Sequence, residues 1–317
     1  MPYAFDPQLA LRLPPAGTPT ASADLPSRRA ERTKGILEAD PPDLTGVVVE
    51  NLEVPGVSGQ PAVALRLYRP AEDRGPKLPC VYTMFGGGFM VGHIDDTEAR
   101  NARWCRELGA VVAAVSYRLA PDHRYPAAVD DCYAGFCGLI DRAGELGIDP
   151  SRVALFGISA GGGLAAALTL RARDQGGPSA CFQFLSVPEL DDRLETPSAR
   201  NFVDTPVWNR PRAEVSWELY LGRDRDDRTT AAYAAPARAT DLSGLPPAYI
   251  AVMQFDPLRD EGIAYAQALM DSGVRVELHM FPGAFHGSYR IREAVVSKRE
   301  LTEQVEVLRT ELFRKDG

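Results

Sequence analysis

The chain is poor in the features that would place it in a membrane, on nucleic acid or around a metal. No apolar run approaches the ~18 residues of a transmembrane helix. There is no long basic block, and 35 Lys and Arg against 43 Asp and Glu leave a net charge of −8. That balance speaks against nucleic acid or an anionic membrane as partner, and no membrane anchor is expected. The N-terminus, MPYAFDPQLALRLPPAG, lacks the basic and continuous apolar regions of a secretory signal. Cysteines number five, an odd count, and none forms a C-x-x-C pair. Cys80, Cys105, Cys132, Cys137 and Cys181 lie in apolar surroundings, the pattern of reduced core residues in a cytoplasmic protein. No metal site is expected.

What remains is an ordinary globular mix, 45% hydrophobic and 25% charged over 317 residues. From about residue 45 strands and helices alternate. GVVVENLEVPG and AVALRLYRP read as neighbouring antiparallel strands. AVVAAVSYRLAP is almost wholly apolar, as a strand buried on both faces of a parallel sheet must be. Strands interleaved with helices of a dozen residues or more predict an α/β fold, a mostly parallel sheet covered on both sides. Two stretches break the rhythm, residues 1–45 and 190–235. A structureless loop of the second one's length is implausible in a compact domain. Together they are expected to form a helical cap over a catalytic body at 46–189 and 236–317. The run GRDRDDRTT within the second stretch reads as a solvated loop.

Three consecutive glycines end the strand in CVYTMFGGGFMVGH, residues 80–93. Glycines there lose much backbone entropy on folding, so something must require bare backbone. A phosphate cradle would want a Lys-Ser/Thr pair after the loop, and a dinucleotide fingerprint would want G-x-G-x-x-G in the first strand-helix unit; neither is present.

GISAG, residues 157–161, matches G-x-S-x-G between the strand-like RVALF and the helix-like GGLAAALTLRA. A serine on so sharp a turn projects its hydroxyl from the top of the sheet. Ser159 is therefore the expected nucleophile, with a simple helix cap as the bland reading. Four histidines could serve as base: His93 after the glycines, His123 in APDHRYP, His279 in the strand VRVELHMF, and His286 in FPGAFHGS. A loop after the last strand, at the sheet's C-terminal edge, favours His286. The orienting acid should end a strand between the two. Asp256 does so in YIAVMQFDPLRDEG, where its alternative role is a helix cap. Asp260 and Glu261, one turn into the helix, are expected to point away. The glycines then make sense as oxyanion donors: the backbone amides of Gly87 and Gly88, with that of Ala160 after the nucleophile.

With FGGGF, SYRLAPDHRYPAAVDDCYAG, GISAGG, DPLRDEG and FHGS in one order across residues 45–290, the chain resembles the bacterial hormone-sensitive-lipase family of α/β-hydrolases. The resemblance implies a capped eight-stranded α/β-hydrolase fold, carboxylesterase activity on a small-molecule ester, no cofactor and frequent homodimers. It carries the nucleophile, acid and base onto Ser159, Asp256 and His286, and the oxyanion donors onto Gly87, Gly88 and Ala160. Two positions depart from its pattern. Phe85 stands in the slot of the usual histidine of His-Gly-Gly-Gly, and Ile158 precedes the nucleophile where Asp or Thr is usual. Both suggest bulky apolar esters or reduced turnover. Non-hydrolytic binding and dehydratase members of the family supply the alternative reading. Phe89, Met90 and Trp208, with Phe85, Ile158, Phe202 and Val207, are candidates for the substrate pocket. Asp130, Asp131, Arg118 and Asp122 are expected to buttress the fold, and Glu189 to stand behind the site.

Overall fold

A computed structural model of the chain describes residues 3–14, 24–72, 75, 77–223 and 231–314. Its eight described strands are β1 (Val47–Val54), β2 (Val63–Pro70), β3 (Leu78–Met84), β4 (Val111–Ser116), β5 (Ile148–Ile158), β6 (Phe182–Ser186), β7 (Ala248–Phe255) and β8 (Val276–Phe285). They form one sheet in the order β1-β2-β4-β3-β5-β6-β7-β8. β2 runs antiparallel to β1 and β4; every other pairing is parallel.

The apolar strands are continuous because both faces are covered. β4 reads VVAAVS and is buried at five of its six positions; β6 reads FQFLS and is buried throughout. Successive side chains alternate between two separate cores, as a period of two requires. Cys80 and Tyr82 join one core, with α4 (Ala127–Asp141), α5 (Ala160–Asp174) and α8 (Arg259–Asp271). Val81 joins the other, with α3 (Glu98–Leu108) and α9 (Val295–Leu312). The cysteines act as core atoms: burial pushes the thiols of Cys80, Cys132 and Cys181 up, and none of the five is in a disulfide among the described residues. No described helix is long and apolar enough to cross a membrane.

The residues expected as one N-terminal cap piece divide in two. Residues 3–10 run along the ends of β7 and β8. Tyr3 and Phe5 pack on Phe255, Phe5 also on Phe285, and the Asp6 amide donates to the Gly283 carbonyl. Their short helix α1 (Pro7–Ala10) is capped by Asp6. Helix α2 (Leu25–Glu38) instead lies over the C-terminal ends of the strands, where Arg29 donates to the carbonyls of Met90 and Ala120. α6 (Pro197–Asn201) and α7 (Arg210–Leu221) come from the long connection between β6 and β7, and Arg212 of α7 lies close enough to Arg28 of α2 to feel its charge. Most of the acidic loop at 222–230 and part of the N-terminal stretch, 15–23, lie outside the described residues.

The expected buttress is also subdivided. Arg118 grips Asp131 through Nε and Nη2, the latter at 2.8 Å, and Asp130 pairs with Arg171. Asp122 does not join them; it pairs with Arg29 and so ties α2 down. His93 caps a short turn at 94–97, His123 is exposed, and His279 stacks on Phe281 beside Glu303.

Candidate active site

β5 ends on Ile158, and the chain reverses into α5 at Ser159, whose φ of +58° lies in a region that side-chain-bearing residues rarely adopt. The turn closes because its flanks are glycine. A Cβ on Gly157 would lie 2.0 Å from the Gly161 carbonyl oxygen, and one on Gly161 would lie 2.4 Å from the carbonyl oxygens of Met84 and Phe85. The strained backbone is held by three sets of bonds. The Ser159 amide donates to the Ser186 carbonyl at 2.8 Å, and the Ser159 carbonyl accepts from Gly162 and Glu189.

Ser159 is 5% exposed and lines a cavity of about 900 Å³. Its hydroxyl is 3.0 Å from His286 Nε2, and His286 Nδ1 is 2.7 Å from Asp256 Oδ2. A carboxylate oxygen can only accept, so Nδ1 carries the proton in the neutral imidazole and Nε2 faces the hydroxyl as an acceptor. Asp256 is fully buried at the end of β7, and its other oxygen accepts from the Leu258 amide at 3.0 Å. The helix-cap reading and the acid reading of Asp256 are thus compatible, one for each oxygen. His286 follows β8, and Gln254 joins the two strand ends by accepting from the Gly283 amide at 2.7 Å. The indole of Trp208 lies 5.7 Å from the imidazole.

Beside the serine, the glycine loop turns through conformations that need glycine: φ is +145° at Gly87 and +57° at Gly88. Its carbonyls are taken up, Gly87 by the Val91 amide at 3.0 Å and Gly88 by the Ser216 hydroxyl at 3.0 Å. Among the described residues nothing accepts from the amides of Gly87, Gly88 or Ala160. The Ala160 amide opens α5, where the helix dipole favours negative charge.

Of the pocket candidates, Phe85, Met90, Ile158, Val207 and Trp208 line this cavity. Phe89 and Phe202 do not. Phe89 stacks on Tyr220, ring centroids 4.0 Å apart, and Phe202 packs with Tyr3 and Phe255. A large aromatic beside a glycine loop can equally fill the roof of the core, and sequence carries no sign of which side it takes.

Behind the serine, Glu189 is fully buried, and among the described residues neither carboxyl oxygen has a hydrogen-bond partner. Ser216 is close by, but its single proton goes to Gly88. Burial pushes the Glu189 carboxyl up to about 8, and the Asp256 charge adds to it. Glu261, expected to point away, is also buried, and its Oε1 accepts from the amides of Leu190 and Asp191. Ser216 and Tyr117, which donates to the Phe85 carbonyl, were not foreseen: Ser216 lies in no motif, and Tyr117, although it is the second residue of SYRLAPDHRYPAAVDDCYAG, meets Phe85 only in the tertiary structure. Among the described residues no group of three His, Cys, Asp or Glu side chains could hold a metal ion.

Residues 81–290 match the family model described as alpha/beta hydrolase fold. The solved structure of a bacterial heroin esterase is 47% identical and superposes with a TM-score of 0.92, over 98% of this chain and 99% of that one. Carboxylesterase NlhH of Mycobacterium tuberculosis is 37% identical over 83% of this chain and 82% of its own. Ethyl acetate hydrolase of Pseudomonas putida is 31% identical over 92% and 91%. With the sheet order, the strained serine turn and these likenesses together, the chain belongs to the α/β-hydrolase fold family, in the hormone-sensitive-lipase-like branch that its motifs resemble.

Proposed function

We propose that this carboxylic ester hydrolase is a serine esterase, acting on short to medium acyl esters or bulky apolar ones through an acyl-enzyme on Ser159. The observation that carries this reading is the unbroken line Asp256, His286, Ser159 at hydrogen-bond spacing, opening into the cavity. Ser159 Oγ attacks the ester carbonyl as His286 Nε2 takes its proton. The tetrahedral oxyanion is received by the amides of Gly87, Gly88 and Ala160. His286 then hands the proton to the departing alcohol, leaving the acyl group on Ser159. Water attacks that acyl group by the same proton route, releasing the acid and restoring the serine. Asp256 keeps the imidazole in the tautomer this requires and stabilises the imidazolium.

Phe85 takes the position of the usual loop histidine and braces the loop by packing, its ring stacked on Tyr117 with centroids 4.1 Å apart. Phe85, Met90, Ile158 and Trp208 make the wall near the serine apolar. α2, α6 and α7 serve as the cap that bounds the cavity, over a catalytic body made of the sheet and its flanking helices. A non-hydrolytic binding or dehydratase reading leaves the His286–Ser159 contact without a purpose.

The test is hydrolysis of p-nitrophenyl esters from acetyl to dodecanoyl by wild type and Ser159→Ala. Wild type is expected to turn over the shorter esters, and the variant to lose at least about 10⁴-fold in kcat. A Ser159→Ala protein that keeps wild-type turnover sinks the mechanism.

A further inference from the structure

The cavity wall is apolar near the serine, but farther out it carries arginine. Arg100, on α3, lines it with its guanidinium carbon 4.8 Å from the Trp104 ring and 4.7 Å from the Phe156 ring. Its hydrogen bonds run from Nε and Nη2 to Asn101 Oδ1 at 3.3 and 3.2 Å, and among the described residues Nη1 has no acceptor. No described carboxylate lies within ion-pair distance of it. Burial pulls its pKa down to about 10, and the groups that oppose that fall are the Tyr289 and Tyr68 phenols.

The carboxylates on the same side are already engaged. Asp95 pairs with Arg66, Glu98 lies 3.7 Å from Arg66, and Asp96 pairs with Arg32 at 2.6 Å. The remaining acids of the wall, Glu31 and Asp40, are exposed on and after α2. On the cap, the half-buried Arg212 also lines the cavity; its Nη1 donates to the Val207 carbonyl, and its pKa is lowered by burial and by the charge of Arg28. Arg100 is thus a charge on the cavity wall with no carboxylate within ion-pair distance among the described residues. Burying such charge is unfavourable unless something negative enters with it.

We propose that the cavity is built for an ester that also carries a carboxylate, with Arg100 receiving the carboxylate while Ser159 attacks the ester carbonyl. This rests on the serine-esterase reading and names its substrate class. The stacking on Trp104 and Phe156 alone would make Arg100 a structural cation–π pair. That reading accounts for the ring contacts but not for a guanidinium on the cavity wall whose Nη1 has no acceptor among the described residues. An arginine held on aromatic rings keeps its orientation, and its planar fork matches a carboxylate. Phe156 precedes Ser159 by three residues of strand, about 10 Å. A short aliphatic spacer between ester and carboxylate bridges that span.

The experiment compares isosteric pairs by pH-stat. In one arm, monoethyl glutarate, adipate and suberate are set against ethyl pentanoate, hexanoate and octanoate, with the carboxylate on the acyl side. In the other, 6-acetoxyhexanoate is set against hexyl acetate, with the carboxylate on the alcohol side. We expect wild type to favour the anion by about tenfold in kcat/KM in at least one pair. Arg100→Met should reduce that ratio about tenfold, Arg100→Lys should restore part of it, and added salt should lower it in wild type. The arm that shows the preference says which side of the ester carries the charge.

Neutral esters favoured in every wild-type pair, or a ratio that Arg100→Met leaves unchanged, would overturn the proposal while leaving the esterase reading intact. Should Arg100→Met not fold, the wild-type ratio with its salt dependence, and Arg100→Lys, decide in its place. If no ester of either kind is hydrolysed in a manner that depends on Ser159, the esterase reading fails and this inference falls with it.

Discussion

Phe85 and Tyr117 hold each other twice: their rings stack 14° from parallel, and the Tyr117 hydroxyl donates to the Phe85 carbonyl at 2.7 Å. The first contact orders the side chain and the second orders the backbone at the point where β3 enters the glycine loop. An apolar residue therefore packs at the entry to the loop, and in the proposed reading this packing braces it.

The two contacts separate by mutation. Tyr117→Phe keeps the stack and leaves a buried carbonyl short of a donor, which should cost about 1 kcal/mol in stability. Phe85→Ala empties a buried ring site and should cost about 3 kcal/mol or more, with a larger fall in kcat. Urea unfolding and ester kinetics on the two variants check this. A Phe85→Ala enzyme with full kcat would mean the ring does not position the loop.

Ser216 joins α7 to the loop by donating to the Gly88 carbonyl. It touches no reacting atom in the proposed mechanism, so it is a positioning residue for the Gly88 amide. Ser216→Ala should lower kcat about fivefold, the equivalent of one ~1 kcal/mol hydrogen bond, with little change in KM. Steady-state kinetics on one neutral ester reads the split. A loss confined to KM would assign Ser216 to substrate binding instead.

Glu189 makes stability depend on pH with a definite sign. In the folded chain its carboxyl holds its proton up to about pH 8, against an ordinary value of 4.5. Between those values the folded state binds more protons than the unfolded one, so stability falls as pH rises, and the loss is complete above about 8. Glu300, pushed up to about 8 by burial with the Glu303 charge adding, contributes to the same slope. Glu189→Gln should match wild type near pH 5 and exceed it by a few kcal/mol near pH 9, on the order expected for a raised buried carboxyl. Urea unfolding at the two pH values checks it. A gap between variant and wild type that is the same at both would show that Glu189 does not titrate in this window.

Much of the molecule was legible in the residues because it rests on local rules. Continuous apolar runs such as AVVAAVSYRL can only be strands covered on both faces. The glycines of GISAG can only be there because a Cβ at 157 or 161 would strike backbone. Ser159, Asp256 and His286 each end or follow a strand, so a parallel sheet delivers all three to one edge. Its place in the loop after the last strand, at the sheet's C-terminal edge, is what favoured His286 among the four histidines.

What the sequence could not decide depends on packing between segments far apart in the chain. Phe85 and Phe89 flank the same glycines, yet one lines the cavity and the other stacks on Tyr220 of α7. Glu261 turned inward because the loop after β6 presents two amides to it. Ser216 reaches Gly88 across 128 residues. Arg100 reads in sequence as one more charge on an amphipathic helix. Only the placement of α3 beside the strand ends makes it a cation on the cavity wall. Local periodicity determines which face of an element is buried; which neighbour meets it is set by the tertiary arrangement, and that choice shaped the cavity.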